Sequence, residues 1–234
     1  MSNKLKAAMI LVSLFIFLFI LTKYRMTNIE LNGISMLPTY QNEESVFFLN
    51  KRDNRIIQRG DVVRADKFTN SDPNKQYVKR VVGIPGDNIL LHINGYVFSV
   101  NGEKSSYSKV SGGQSYLYQT DSQKEKNANV DFDLIPKDEL YKYASFGTEF
   151  EESVGGNKHL VILLIGGESE SKRDYIEHLR VNVATRDITF NEDGLAKIKV
   201  PKNSYFLMSD NRPIGVDSRH FGFVRKNDIS AILP

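Results

Sequence analysis

Three short segments, far apart in the chain, carry residue types that could together perform acyl transfer. The first is Gly33-Ile34-Ser35-Met36-Leu37-Pro38-Thr39. A permissive glycine and a rigid proline flank the serine, a context that holds a backbone in an exposed turn. Such a turn can present the Oγ while nearby N–H groups point into the same space, as a nucleophile with an oxyanion hole requires. The second is Tyr77-Val78-Lys79-Arg80-Val81-Val82-Gly83-Ile84-Pro85-Gly86-Asp87, with a lysine inside an apolar β-branched run. If Val78 and its neighbours enclose the ammonium, desolvation lowers its pKa, and a neutral amine can take a serine proton. The third is Ser209-Asp210-Asn211-Arg212-Pro213-Ile214-Gly215-Val216-Asp217-Ser218-Arg219-His220-Phe221-Gly222. Its Asp–Arg pairs and side-chain-to-backbone bonds could fix a loop beside an active site.

Singly, each segment has a plainer reading. A serine near Gly and Pro is most often only a turn. Strand alternation would send Lys79 to solvent, and the third segment would be a solvated loop.

The elements that must position these residues read as β-structure. Short strands are expected over residues 28–31, 45–50, 61–65 and 77–83, each β-branched or aromatic and bounded by turn residues. Ile84-Pro85-Gly86-Asp87 has turn chemistry. Residues 89–100 hold two strands around Asn94-Gly95, a hairpin signal, and end at Asn101-Gly102. From 103 to about 128 the chain is rich in Ser, Gly, Gln, Lys and Asn and reads as a long loop. Residues 136–143 suit a short helix and 160–165 a buried strand. Gly166-Gly167 and a charged stretch to Arg180 follow, and strands return at 198–200 and 205–208. The expected architecture is a β-rich core split by an insertion between about 103 and 197.

Composition removes several function classes. The 234 residues carry a net charge of +3 and no block of basic residues interleaved with aromatics, so nothing argues for nucleic acid. There is no cysteine, which excludes disulfides, thiolate catalysis and cysteine-ligated zinc. His92, His159, His178 and His220 are too scattered for a short-spaced metal motif. No metal and no cofactor is expected.

Residues 7–22 form an unbroken run of apolar and small residues, with Lys4 and Lys6 before it and Lys23 and Arg25 after. No polar face interrupts it, as a buried amphipathic helix would require. Thr22-Lys23-Tyr24-Arg25 offers no small-x-small cleavage site. The run reads as an uncleaved membrane anchor whose flanking lysines snorkel, with a cytoplasmic N-terminus and an extracytoplasmic bulk.

In order and wording these segments resemble the type I signal peptidases, membrane serine proteases that remove signal peptides from exported proteins. Ser35-Met36-x-Pro38-Thr39 is similar to the family's nucleophile box and Arg59-Gly60-Asp61-Val62-Val63 to its next box. Residues 77–87 resemble the lysine box, and Asp210-Asn211-Arg212 with Asp217-Ser218-Arg219 and Gly222 the closing box. The anchor directly before the first box is also the family's layout. The resemblance covers the anchor, residues 29–102 and residues 198–224.

The resemblance implies a mainly β, antiparallel catalytic core with a large inserted cap region and one N-terminal transmembrane helix. Residues 1–25 would be the N-terminus and anchor, 26–102 and 198–234 the catalytic core, and 103–197 the cap. It implies a Ser/Lys dyad, with Ser35 as nucleophile, Lys79 as general base and the Ser35 N–H facing the oxyanion. Met36, Tyr77 and Val78, with Ile29 and Leu31, would line shallow pockets for small substrate residues. Arg80, Asp210, Asn211, Asp217 and Arg219 would form the supporting network. The partners would be the signal peptides of preproteins and the lipid bilayer, and the location the plasma (inner) membrane, single-pass, with the catalytic domain outside the cytoplasm.

Three positions depart from the family pattern. Gly33 stands where members often carry a hydroxyl that helps the oxyanion hole, and Ser209 where the closing box usually begins with Gly. Gly215 stands where the family usually has a serine that orients the lysine amine, which would leave Lys79 to rely on water or Ser218. Two other readings accompany the main one: a specialised relative maturing pilin or conjugation proteins, and a non-catalytic, membrane-tethered peptide-binding protein. A self-cleaving repressor of the other Ser/Lys class would need a DNA-binding module where the anchor stands.

Overall fold

In the computed structural model, residues 3–23, 26–50, 56–66, 76–113, 115–118, 145–164, 188–213 and 215–233 are described. Helix α1 (Asn3–Lys23) leads into β1 (Met26–Leu31), β2 (Glu44–Asn50), β3 (Val62–Asp66) and β4 (Gln76–Gly83). Then come β5 (Asn88–His92), β6 (Val97–Val100), β7 (Glu103–Lys104), β8 (Ser106–Lys109) and β9 (Ser115–Tyr118). The long strands β10 (Ser145–Val154) and β11 (Asn157–Leu164) precede β12 (Leu195–Lys199) and β13 (Ser204–Met208). A one-turn helix α2 (Ser218–Phe221), then β14 (Val224–Arg225) and β15 (Ile229–Ile232), close the chain.

The strands pair antiparallel throughout, as β-branched runs joined by tight turns favour. One seven-stranded sheet has the order β1-β2-β15-β3-β4-β13-β14. A four-stranded sheet β12-β5-β6-β7 packs against it, and a third joins β11, β10 and β8, with β9 also on β10. Asn101 (φ 53°) and Gly102 (φ 84°) form a two-residue turn between β6 and β7, since both central positions need positive φ. Val82, Phe206 and Met208 face one apolar cluster with Leu91, Val97 and Val200, and Val63, Val81, Leu207 and Val224 face another. The sheet is thus covered on both faces where β4 and β13 meet.

Several expectations change. The loop expected from 103 to about 128 is largely strand where it is described: residues 103–104, 106–109 and 115–118 form β7, β8 and β9, paired with β6 and β10, and residues 119–128 lie outside the described residues. The buried strand expected over 160–165 begins at Asn157, as one arm of a hairpin with β10. The core resumes before 198, because Leu195 pairs with His92 and Ile188 joins the cluster around Val82. The helix expected over 136–143 and the charged stretch after Gly166 lie outside the described residues.

Helix α1 runs 21 residues, and Met9, Ile10, Leu11 and Phe15 on it are exposed. Among the described residues no helix is long and apolar enough to cross a membrane.

Candidate active site

The serine turn is held from below. After β1 ends, Gly33 at φ 112° reverses the chain, and Leu37 N–H donates to Ile34 O (3.2 Å) and Tyr40 N–H to Met36 O (3.0 Å). Asn211 then grips both carbonyls flanking the serine Cα: its N–H donates to Ser35 O (3.0 Å) and its Nδ2 to Ile34 O (3.1 Å). With both carbonyls drawn inward, the Ser35 side chain is left facing the cleft.

Lys79 comes from β4, in register with Val63 on β3. From Lys79 to Gly83 every residue of β4 is buried, because neighbouring strands and both apolar clusters cover the strand. Lys79 is 3% exposed, so alternation does not carry it to solvent. Its Nζ donates to Ser35 Oγ at 2.7 Å and to the carbonyl of Val78 at 2.9 Å, and lies 5.8 Å from the Tyr77 ring centre. A hydroxyl and an amine at this separation can exchange a proton directly.

The polar network locks these parts together. Arg80 clasps Asp210 through two bonds (Nε to Oδ1 2.8 Å, NH2 to Oδ2 2.7 Å) and donates to Gly60 O (2.8 Å). Thr39 Oγ1 donates to the same Asp210 at 2.5 Å, tying the serine turn to the closing segment. Asp217 caps α2 and is clasped by Arg219 at 2.9 Å through both oxygens. Burial alone would raise the Asp217 pKa, but the Arg219 and His220 contacts outweigh it and hold the carboxylate well below its ordinary range. Arg59 forms a third clasp, on Asp87 (2.7 Å twice), and this lowers the Asp87 pKa despite burial.

Ile29, Leu31, Met36, Tyr77 and Val78 all line one cleft of about 480 Å³ with Ser35 and Lys79. Tyr77 is braced by Phe221, ring centres 5.4 Å apart. Gly33 sits on the rim; its N–H donates to Asn42 Oδ1 (2.7 Å), and a Cβ there would meet nothing within 4 Å. Ser218 is drawn elsewhere than expected. Its hydroxyl accepts from the Leu207 N–H (2.8 Å) rather than from Lys79, so it supports the strand before the closing segment. Among the described residues no group of three or more acidic or imidazole side chains could hold a metal ion.

The inserted region contributes a part that motif reading misses. Glu152 on β10 is fully buried and bonded by Arg212 NH2 (2.5 Å), His159 Nε2 (2.8 Å) and the Tyr107 hydroxyl (2.5 Å). Burial would raise its pKa, but the Arg212 charge and the bonds to His159 and Tyr107 bring it down to about 2. Nothing local marks it: in sequence it follows Glu149 and Glu151 in a run that reads as a solvated face.

A serine hydroxyl bonded to a buried lysine amine, beside an apolar cleft on antiparallel sheets, defines a hydrolase of the Ser/Lys class. The chain belongs to the signal peptidase family, peptidase S26, whose family model matches residues 4–233. Signal peptidase I of Buchnera aphidicola subsp. Schizaphis graminum is 31% identical over 184 residues, 74% of this chain and 51% of that protein. The chain thus spans about half the length of that relative. Signal peptidase I of Streptococcus pneumoniae serotype 4 is 26% identical over 204 residues, 87% of this chain and 78% of its own. Signal peptidase I S of Bacillus subtilis is 27% identical over 202 residues, covering 85% and 70% respectively. A crystal structure of a signal peptidase I from Enterococcus faecalis aligns over 78% of this chain and all of its own, with 16% identity and a TM-score of 0.31.

Proposed function

We propose that the chain is a membrane-anchored signal peptidase I that cuts exported preproteins after a small-x-small site. The observation that carries this reading is the 2.7 Å bond from Lys79 Nζ to Ser35 Oγ, with the lysine withdrawn from solvent. Ser35 Oγ attacks the scissile carbonyl while Lys79 accepts its proton, giving a tetrahedral oxyanion that faces the Ser35 N–H. Collapse releases the amine, which takes the proton from Lys79, and leaves an acyl-enzyme. Lys79 then takes a proton from water, which attacks the ester and frees Ser35. The Val78 carbonyl holds one amine N–H and so limits the directions in which the base can point.

Substrate choice follows from the cleft. Among the described residues β1 is an edge strand of the seven-stranded sheet, a position at which an extended peptide can add as a further strand. Ile29, Leu31, Met36, Tyr77 and Val78 form apolar walls close to Ser35, which suit small side chains at the cut. Residues 7–22 anchor the enzyme: they are an uncharged run flanked by Lys4, Lys6, Lys23 and Arg25, whose long stems reach the headgroup region. The catalytic part lies on the extracytoplasmic side, where translocated preproteins emerge.

The test is cleavage of a signal-peptide-bearing preprotein by detergent-solubilised enzyme, beside Ser35→Ala and Lys79→Ala. Cutting after a small-x-small sequence, abolished by either change, is the expected result. No cutting by folded parent enzyme would overturn the reading in favour of a peptide-binding role or a specialised substrate.

A further inference from the structure

Two departures from the family pattern meet at one point in space. An ideal Cβ on Gly215 would lie 2.1 Å from both the Cβ and the Oγ of Ser209, and 2.7 Å from Asn211 O. The Ser209 side chain therefore fills the volume that a serine at 215 would need. Gly215 follows from Ser209: with a side chain at 209, position 215 has no room for one.

Ser209 is also placed to serve the lysine. It directly follows β13, whose Met208 pairs with Arg80 on β4. The antiparallel register ends at that pair, and Ser209 and Lys79 are the residues that adjoin it on the two chains, on the same side of the pair. Its backbone is pinned by a bond from its N–H to Asp217 Oδ2 at 3.0 Å. The residue is 0% exposed, and its hydroxyl finds no hydrogen-bond partner among the described residues. A buried hydroxyl without a partner is a cost that glycine or alanine would avoid, so its presence calls for a use.

We propose that Ser209 is the lysine-positioning residue of this chain. Its hydroxyl replaces the family's serine at 215, delivered from the opposite limb of the closing segment, and receives a Lys79 N–H as the amine turns from Ser35 to the leaving group. The two departures are then a single exchange that conserves the hydroxyl, and they give no ground for a weakened enzyme. This rests on Lys79 being the general base.

Preprotein cleavage kinetics test it, on full-length enzyme in detergent. Ser209→Ala lowers kcat on the order of 100-fold, the usual effect of a misplaced catalytic group, with KM within about twofold and an unchanged melting curve. Ser209→Gly is equally slow, and the exchange variant Ser209→Gly/Gly215→Ser recovers to within about tenfold of the parent. Ser209→Thr, which keeps the hydroxyl, stays faster than Ser209→Ala. A Ser209→Ala enzyme with kcat within about threefold of the parent overturns the proposal. So does a pair of hydroxyl-retaining variants that are both as slow as Ser209→Ala. Either result leaves the Ser35/Lys79 reading standing, whereas a parent enzyme that does not cut, or a Lys79→Ala enzyme that does, removes that reading itself.

Discussion

Ile162, on β11 of the inserted region, shares a small buried cluster with Ile34, the residue immediately before Ser35, and with Leu37. Its backbone does as much for the other half of the site. Ile162 N–H donates to Asp210 O (2.9 Å), and Ile162 O accepts from the Arg212 N–H (3.2 Å), so the closing segment runs beside β11 as a short parallel bridge centred on Asn211. One residue of the insertion thus supports both the serine turn and the asparagine that grips it. Ile162→Ala should cost about 2–5 kcal/mol of stability. It should also lower kcat by more than Val161→Ala, a buried neighbour outside that cluster. Thermal melts beside initial rates would check this, and equal kcat losses in the two variants would remove the special role of Ile162.

Arg80 and Asp210 make the most central ion pair, next in sequence to the base on one side and to Asn211 on the other. Asp210→Ala leaves a buried guanidinium unpaired and should cost roughly 3–5 kcal/mol, a fall in Tm on the order of 10 °C for a domain of this size. The double change Arg80→Met/Asp210→Leu should regain much of that stability, since apolar replacement of a buried pair is often neutral. Activity should not return with it, because Thr39 and Gly60 lose the partners that tie them to the site. A double variant that is both stable and fast would show the pair to be dispensable for positioning.

Glu152 gives the fold a specific acid sensitivity. Its pKa in the folded protein, about 2, lies below the ordinary value of 4.5 expected in the unfolded chain. Its stabilising contribution is therefore fully present above about pH 4.5 and is lost as the pH falls towards 2. Glu152→Gln should lower stability at neutral pH, and stability should then fall less steeply between pH 4.5 and 2 than in the parent. Denaturant midpoints across that range would measure it; parallel curves would mean that the carboxylate is not the group concerned. Asp87 and Asp217 are depressed in the same direction and account for the slope that remains.

The catalytic core was legible because its chemistry is written in short contiguous segments. Gly33, Ser35 and Pro38 mark a turn, Lys79 is out of place in an apolar strand, and Asp210, Arg212, Asp217 and Arg219 are too many charges for one buried loop to lack partners. The insertion was not legible, because its polar strands are buried only by partners far away in the chain. Glu152 is satisfied by Arg212, sixty positions on, and Tyr107 reaches it from forty-five positions before. Short-range pattern sees a Ser- and Lys-rich stretch in β7 and β8 and reads a loop, although β10 completes the pairing. The exchange between Ser209 and Gly215 was visible only as two separate oddities, since their side-chain volumes coincide through a turn that spacing does not predict.

Lys79→Arg separates charge from proton transfer. An arginine keeps the positive charge and several donors, but the guanidinium does not deprotonate in proteins and cannot take the Ser35 proton. The site is also closed around the shorter amine, with Val63 opposite in register and Val78 O already bonded to Nζ. Turnover should be lost to the level of Lys79→Ala, and labelling of Ser35 by an acylating peptide should fall with it, because the first step needs the base. Peptide affinity for the Ile29–Val78 cleft should hold within a few fold, since none of its apolar walls has changed. Binding measured by fluorescence beside single-turnover acylation distinguishes these effects. A Lys79→Arg enzyme that acylates within tenfold of the parent rate would mean that positive charge, and not proton transfer, is what Lys79 supplies to Ser35.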